Sequence, residues 1–280
     1  MTTLVYINGQ FIDGSEAKVS ALDLSVLRGF GVMDYLRTYG GTPFRLRAHL
    51  ERFVASAALL GLEVPVGMDV MEEVIQELIS RGGFQETSVK VVLTGGVSTD
   101  QLMPEGEPTF FVVAYPFAPF PRRHFEEGIF LTTEVYQRPF PKAKSIHYLP
   151  AIIALRKAEK RGAVDVLFHD EKGWIRETGT ANFFAIKKGK IITPKEGILE
   201  GITREVVMEL CDVEEREIHR DEIGEFEGAF LASSNKEVMP VISIDNCVIN
   251  NRVIPLTIRN LMQSFANHTK LSEKNLLHNI

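Results

Sequence analysis

The chain is 280 residues long, 45% hydrophobic and 24% charged, the composition of an ordinary globular protein with ample apolar material for a core. Its formal net charge of −6 argues against broad electrostatic binding to nucleic acid or to an anionic membrane surface, but allows a local basic pocket around a small phosphorylated or carboxylated ligand. The opening MTTLVYINGQ has neither the charged nor the apolar region of a leader, and no apolar run approaches membrane-spanning length, so the sequence reads as cytoplasmic. Cys211 and Cys247 have neither CxxC spacing nor neighbouring histidines; they read as buried free thiols rather than metal ligands or a disulfide.

The first predicted element is a hairpin. LVYINGQFID alternates apolar residues around Asn8-Gly9, a pair that tolerates the positive φ of a two-residue turn. Residues 47–61 (RAHLERFVASAALLG) and 69–81 (DVMEEVIQELISR) repeat apolar positions every three or four residues, which predicts two amphipathic helices with Asp69 capping the second. Two β-rich runs follow, SVKVVLT at 88–94 and TFFVVAY at 109–115. The next stretch, PFAPFP at 116–121, carries three prolines that oppose helix and central strand alike. It is read as a linker between a small domain over 1–115 and a larger one over 122–280.

Beyond the linker, strands are predicted at 129–136, 164–169, 181–187, 190–193 and 228–232, and helices at about 149–161, 203–211 and 256–266. Strands grouped around fewer helices, without regular βα alternation, indicate an α+β fold.

Several short stretches could carry chemistry. KAKSIHYLP (142–150) sets Lys142 and Lys144 ahead of a helix, and nothing within it separates the two lysines. RETGTANFF (176–184) places Glu177 before a small polar turn and a strand. EGITRE (200–205) reads as a helix start introduced by glycine, with the N–H groups of Ile202 and Thr203 and the Thr203 hydroxyl available to an anion. LASSNKEVMP (231–240) ends a strand in Ser233, Ser234 and Asn235, short polar side chains beside amides that can form an anion nest. FRLRAHLERF (44–53) gathers Arg45, Arg47 and Arg52 around a helix start. Taken singly, each reads better as a solvated charge or a plain cap than as a site.

Together, and in order with RGFGVMDYLRTY (28–39), these motifs resemble the fold-type IV pyridoxal-phosphate (PLP) enzymes. This class IV aminotransferase family includes branched-chain aminotransferases, D-amino acid transaminases and aminodeoxychorismate lyases. The resemblance spans nearly the whole chain. It implies a two-domain α+β architecture with a small N-terminal α/β domain and a larger, mixed, barrel-like C-terminal domain, with pyridoxal 5′-phosphate as cofactor and a homodimer as the assembly. It makes Lys144 the Schiff-base lysine and leaves Lys142 a bystander. Glu177 matches the carboxylate that faces the pyridine nitrogen. Arg52, Ile202, Thr203 and Ser234 match the phosphate cup, with Asn235 as a further member. Tyr148 lies near the place of the tyrosine that branched-chain enzymes keep beside the phenolic oxygen, one residue nearer the lysine.

These residue types suit the task. The lysine amine must attack when neutral and later act as a base. An ionised carboxylate holds the ring-nitrogen proton by a charge-assisted hydrogen bond, and a phosphate dianion needs cations and N–H donors.

The substrate side departs from the familiar family patterns. Ser145-Ile146-His147-Tyr148 replaces the glycine-glycine-asparagine-tyrosine run of branched-chain enzymes, and the Lys-Ser start is similar to D-amino acid transaminases. Those enzymes trap the substrate carboxylate with a tyrosine, an arginine and a histidine, where this chain has Met33, Asp100 and Leu102. Met33 keeps a place in the substrate-facing set, and Arg28, Lys90 and Tyr148 are candidate replacements for the trap. His147 reads as a loop residue. The implied reaction moves an amino group between an amino acid, taken as a D-amino acid such as D-alanine or D-glutamate, and a 2-oxo acid such as 2-oxoglutarate. The alternatives are a branched-chain L-amino acid transaminase and an aminodeoxychorismate lyase releasing pyruvate. A binding protein that kept the fold without the chemistry is a third reading, opposed by the Lys144 and Glu177 pair.

Overall fold

The computed structural model of the chain describes residues 3–277. It forms two compact units, one holding the described residues up to Ala118 together with Ala143–His147 and the chain from Thr269, the other Pro119–Lys142 and Tyr148–His268. The chain therefore leaves the first unit within the proline-rich PFAPFP stretch and lends it the five residues around Lys144.

The first unit contains β1 (Leu4–Ile7), β2 (Gln10–Asp13), α1 (Leu24–Arg28), β3 (Gly31–Tyr39), β4 (Thr42–Pro43), α2 (Leu46–Leu59), α3 (Met68–Gly82), β5 (Thr87–Thr94) and β6 (Phe110–Pro116). Its six strands form one antiparallel sheet in the order β2-β1-β6-β5-β3-β4. The hairpin forms as predicted: Ile7 pairs with Gln10, and Asn8 and Gly9 both take positive φ, 51° and 79°. Val32, Leu36, Val89 and Val91 pack beneath Leu50 and Phe53 of α2 and Ile75 and Leu78 of α3. Arg47 and Glu51 of α2 and Glu73, Gln76 and Glu77 of α3 stay in water on the opposite faces.

Asp69 does not cap α3. The helix starts one residue earlier, at Met68, with Gly67 as N-cap and no side-chain cap bond. Asp69 sits instead in the first turn, where its negative charge complements the positive end of the helix dipole. Strand β3 escaped the periodicity reading because its core-facing phase, Val32-Asp34-Leu36-Thr38, mixes a carboxylate and a hydroxyl among apolar residues.

The second unit contains α4 (Arg123–Glu126), β7 (Ile129–Val135), α5 (Leu149–Lys160), β8 (Asp165–His169), β9 (Ile175–Thr178), β10 (Asn182–Lys187), β11 (Lys190–Thr193), α6 (Ile202–Leu210), β12 (Val213–Glu215), β13 (Gly228–Ser233), β14 (Glu237–Ile244), β15 (Cys247–Val248) and the first part of α7 (Leu256–Leu277). Its sheet runs β12-β11-β10-β13-β14-β7-β8-β9, with β15 paired to β14. Pairing is mixed: β7 lies parallel to both β14 and β8, while β10, β13 and β14 are antiparallel. Phe183, Leu231, Met239 and Leu131 are fully buried in its core. Cys211 and Cys247 are free, and both are half-buried rather than buried. Among the described residues, no helix is long and apolar enough to cross a membrane.

A charged cluster ties β10 to the turn at 220–225. The Glu222 carboxylate accepts from Arg216 at 2.7 Å, Lys187 at 2.7 Å and the His219 N–H at 2.9 Å. The Arg216 hydrogen bond is the main cause that lowers the Glu222 pKa from 4.5 to about 2. A carboxylate depressed on folding stabilises the protein fully above its unfolded pKa and loses that contribution as pH falls through the folded one. The stability difference between wild type and E222Q should therefore shrink as pH is lowered from about 4.5 to about 2, followed as urea midpoints at stepped pH. A difference that stays constant across this window would contradict the assignment.

Candidate active site

In the first unit, β3 is the scaffold. Its outer edge accepts the segment around Lys144: the Met33 N–H donates to the Lys144 carbonyl at 2.9 Å, the Ile146 N–H donates to the Gly31 carbonyl at 3.1 Å, and Ser145 bridges Val32. The Lys144 N–H donates to Ser56 Oγ on α2 at 3.0 Å. Both backbone groups of Lys144 are thus engaged, and the residue is half-buried. Gly31 permits this approach, because a Cβ there would lie 2.6 Å from the Leu93 carbonyl oxygen and 3.0 Å from Ile146 Cδ1. Lys142, by contrast, is exposed and its ammonium pairs with Glu200 at 3.4 Å. The two lysines that the KAKSIHYLP stretch alone does not separate sit in different environments.

One stripe of α2, His49, Arg52 and Ser56, faces this strand. Arg52 Nε and Nη2 reach Asp34 Oδ2 and Oδ1 at 2.9 and 2.8 Å, and His49 Nδ1 lies 2.7 Å from Oδ1. Burial of Asp34 favours its neutral form, but the Arg52 and His49 charges and hydrogen bonds overcome it and hold the carboxyl well below the usual range. Met33 is half-buried. Lys90, opposite Tyr35 in the β3–β5 register, is exposed with its ammonium 5.6 Å from the Tyr115 ring centroid. Arg28 is exposed at the end of α1 and donates to the Leu27 carbonyl at 3.0 Å. Asp100 turns its carboxylate onto Ser98 and the N–H groups of Leu102 and Met103, the work of a loop organiser. His147 is an exposed loop residue.

In the second unit, Glu177 ends a chain of hydrogen bonds. Arg138 Nε and Nη2 both reach its Oε1, at 2.9 and 2.7 Å, and the Leu199 N–H donates to Oε2 at 3.1 Å. Asn182 Nδ2 donates to the Leu199 carbonyl at 2.8 Å. A Cβ on Gly201 would lie 2.0 Å from Asn182 Oδ1, so any side chain at this N-cap would push Asn182 aside. Gly201 leaves the start of α6 without a side-chain cap, with Ile202 and Thr203 buried in its first turn. Their amides supply the N–H groups that an anion seeks. Ser234 and Asn235 form the half-buried β13–β14 turn, where Ser233 Oγ donates to Asn235 Oδ1 at 2.9 Å. Tyr148, just before α5, is half-buried against the Ala151, Ala154 and Phe168 cluster.

Two groups escaped the sequence reading. Arg138 lies in QRPFPKAK with nothing local to mark it as the partner of a glutamate 39 residues away. Lys236, next to the anticipated Ser-Ser-Asn, forms a buried ion pair with Asp165 at 3.1 Å and hydrogen-bonds Thr180. Asp165 also accepts from Thr178 Oγ1, Thr180 Oγ1 and the Gly179 N–H at 2.9–3.1 Å, so the pair pins the turn that follows Glu177.

Each unit by itself carries groups that suit a phosphorylated pyridine aldehyde: the first an amine with an anchored backbone and an arginine, the second a carboxylate oriented by two donors and a helix start without a side-chain cap. Comparison with known proteins agrees. The amino-transferase class IV family matches residues 31–244. A Methanocaldococcus jannaschii protein with the provisional name branched-chain-amino-acid aminotransferase is 32% identical, over 93% of this chain and 94% of its own. A Staphylococcus aureus D-alanine aminotransferase is 30% identical, over 94% and 97% respectively. Among solved structures, the branched-chain amino acid aminotransferase of Thermoproteus uzoniensis, solved with norvaline, superposes with a TM-score of 0.88 at 27% identity, covering 96% of this chain and 95% of that one. The T.th. branched-chain amino acid aminotransferase, solved with pyridoxamine 5′-phosphate, gives 0.89 at 26%, covering 96% and 94%. The chain belongs to the class IV aminotransferases. It is an α+β enzyme that uses pyridoxal phosphate.

Breaking the buried pair should cost far more than a surface ion pair. D165A should lower unfolding stability by roughly 3–5 kcal/mol, because Lys236 is left buried and uncompensated, whereas D165A/K236M should recover much of that loss. Urea unfolding of the two variants measures this, and a loss near 1 kcal/mol in D165A, typical of an exposed pair, would contradict it.

Proposed function

We propose that this aminotransferase moves an amino group between a D-amino acid, such as D-alanine or D-glutamate, and a 2-oxo acid such as 2-oxoglutarate, with Lys144 as its covalent anchor and proton carrier. The single observation that carries the reading of Lys144 is its double backbone anchorage, N–H to Ser56 and carbonyl to Met33, which holds one lysine of the KAKS stretch in place while Lys142 stays at the surface.

When bound, pyridoxal phosphate supplies an aldehyde for the amino group and a ring that accepts the electron pair left at the substrate Cα. The Lys144 amine would take the substrate Cα proton and later give it back, one base serving both transfers. Glu177, oriented by Arg138 and the Leu199 N–H, holds a proton on the ring nitrogen. Arg52, the Ile202 and Thr203 amides, the Thr203 hydroxyl, Ser234 and Asn235 hold the phosphate. Tyr148 is assigned to the cofactor oxygen or the substrate.

The D-amino acid reading is supported by Ser145 directly after the lysine and by two exposed cations, Arg28 and Lys90, which pair with no carboxylate among the described residues. They are offered as partners for substrate carboxylates, with Met33 as an apolar neighbour of the substrate. A branched-chain L-amino acid reading is supported by the names of the two solved neighbours, from T.th. and Thermoproteus uzoniensis. The protein is read as a cytoplasmic homodimer, a reading supported by its free cysteines and by exposed Leu22, Val26, Leu102 and Met103 in the first unit. Light scattering on purified protein should give twice the 31.4 kDa chain mass.

Incubation of the PLP form with D-alanine, D-glutamate, L-leucine and aminodeoxychorismate separates the substrate readings. The D-amino acids should convert the cofactor to pyridoxamine phosphate; a spectrum unresponsive to both would sink the D-amino acid reading, and conversion by L-leucine alone would replace it with the branched-chain one. K144A should lose the visible band of lysine-bound cofactor and all amino transfer. E177Q, which keeps the shape and removes the charge, should slow the half-reaction roughly 10²-fold in stopped-flow absorbance.

A further inference from the structure

Asp34 is a buried charge to which the proposed reaction assigns no task. It sits in mid-β3, in the core-facing phase between Val32 and Leu36, with no solvent exposure. A carboxylate there is costly unless it is paired and hydrogen-bonded. The Tyr35 N–H donates to Oδ1 at 2.7 Å, and its two side-chain partners come from one turn of α2. Arg52 grips it as a fork, with Nε on Oδ2 at 2.9 Å and Nη2 on Oδ1 at 2.8 Å, and His49 Nδ1 stands 2.7 Å from Oδ1. The ionised carboxylate only accepts, so His49 carries its proton on Nδ1 and donates it. Burial keeps His49 neutral against the pull of Asp34, with the Arg52 and Lys144 charges acting in the same direction as burial. The cluster is therefore a neutral imidazole behind a carboxylate that clamps a guanidinium.

A two-point fork fixes the plane of a guanidinium, which a single contact does not. The group carries five N–H donors, so a fork on two of them sets the directions of all the rest. The strand that supplies Asp34 also supplies, one residue earlier, the Met33 N–H that holds the Lys144 carbonyl.

We propose that Asp34, backed by His49, is a positioning residue for the cofactor phosphate: it orients the Arg52 guanidinium, and because it shares β3 with the Lys144 anchor, one strand sets the spacing between phosphate cation and lysine. The inference rests on the reading of Arg52 as a phosphate ligand. Asp34 acts through Arg52 and touches neither cofactor nor substrate.

The test uses the full chain, resolved of its cofactor, titrated separately with pyridoxal phosphate and with pyridoxal, which lacks the phosphate. Wild type, R52A, D34N and D34E are compared by the visible band of lysine-bound cofactor, with thermal unfolding recorded alongside. R52A and D34N should each lower the ratio of pyridoxal phosphate to pyridoxal affinity by about tenfold or more, the scale of one charge-assisted hydrogen bond. D34E keeps the ion pair and displaces the guanidinium by about one methylene, and should lower the ratio by about threefold; it also serves where D34N fails to fold. If R52A loses the ratio while D34N, or D34E in its place, keeps the wild-type value, the positioning role is overturned, even if the melting temperature falls. If R52A itself keeps the ratio, the reading of Arg52 as a phosphate ligand fails first, and the inference with it.

Discussion

The edge pairing of β3 with the residues around Lys144 is the constraint on which the chemistry of the first unit depends. A strand at a sheet edge presents unpaired N–H and carbonyl groups, and here Gly31 and Met33 use them to take in a segment from far along the chain. Ser56 on α2 takes the remaining Lys144 N–H. A lysine side chain has four rotatable carbons and large rotamer entropy, so its terminal amine can be aimed only if its backbone is stationary. The sheet makes it stationary, and α2, packed on that sheet through Leu50 and Phe53, supplies both Ser56 and Arg52 from the same face.

The second unit solves the same problem with side chains. Glu177 is oriented at both oxygens, by Arg138 and by the Leu199 N–H, and Leu199 is in turn held by Asn182 beside Gly201. The turn after Glu177 is pinned by Asp165 and Lys236, which also fixes the residue after the Ser233–Asn235 turn. Three segments distant in sequence become one hydrogen-bonded block, so a disturbance of Lys236 or Asn182 reaches Glu177 without touching it. Polar networks of this kind are rigid when every member is satisfied and costly when one is removed.

The candidate site is legible in the sequence as a set of motifs, and motifs mark positions but not partners. Lys144, Glu177, the Gly201–Thr203 helix start and Arg52 stand out by order and residue type, and the structure gives each a defined setting. Arg138, Lys236, Asp165 and Asp34 do not stand out. Each is a charged residue whose importance lies in a partner between 13 and 71 residues away, and a single charged residue in a strand or loop looks like surface until its partner is seen. The Asp69 cap fails for a local reason: Gly67 is also a good N-cap, and the helix takes the earlier start.

The sequence by itself determined the secondary structure wherever one period or one turn was clean. The Asn8-Gly9 hairpin, α2, α3, β5, β6, β10, β11 and the start of α6 follow from alternation, helical spacing and glycine placement, because these are short-range consequences of backbone sterics and of hiding one face from water. It also determined the family, through six motifs in a fixed order. Only the tertiary structure decided which of two lysines two residues apart is anchored and which is solvated. That difference resides in Met33, Ser56 and Gly31, residues more than 80 positions upstream that meet Lys144 or its neighbour Ile146 across a strand edge and a helix face. No local property of KAKSIHYLP encodes it.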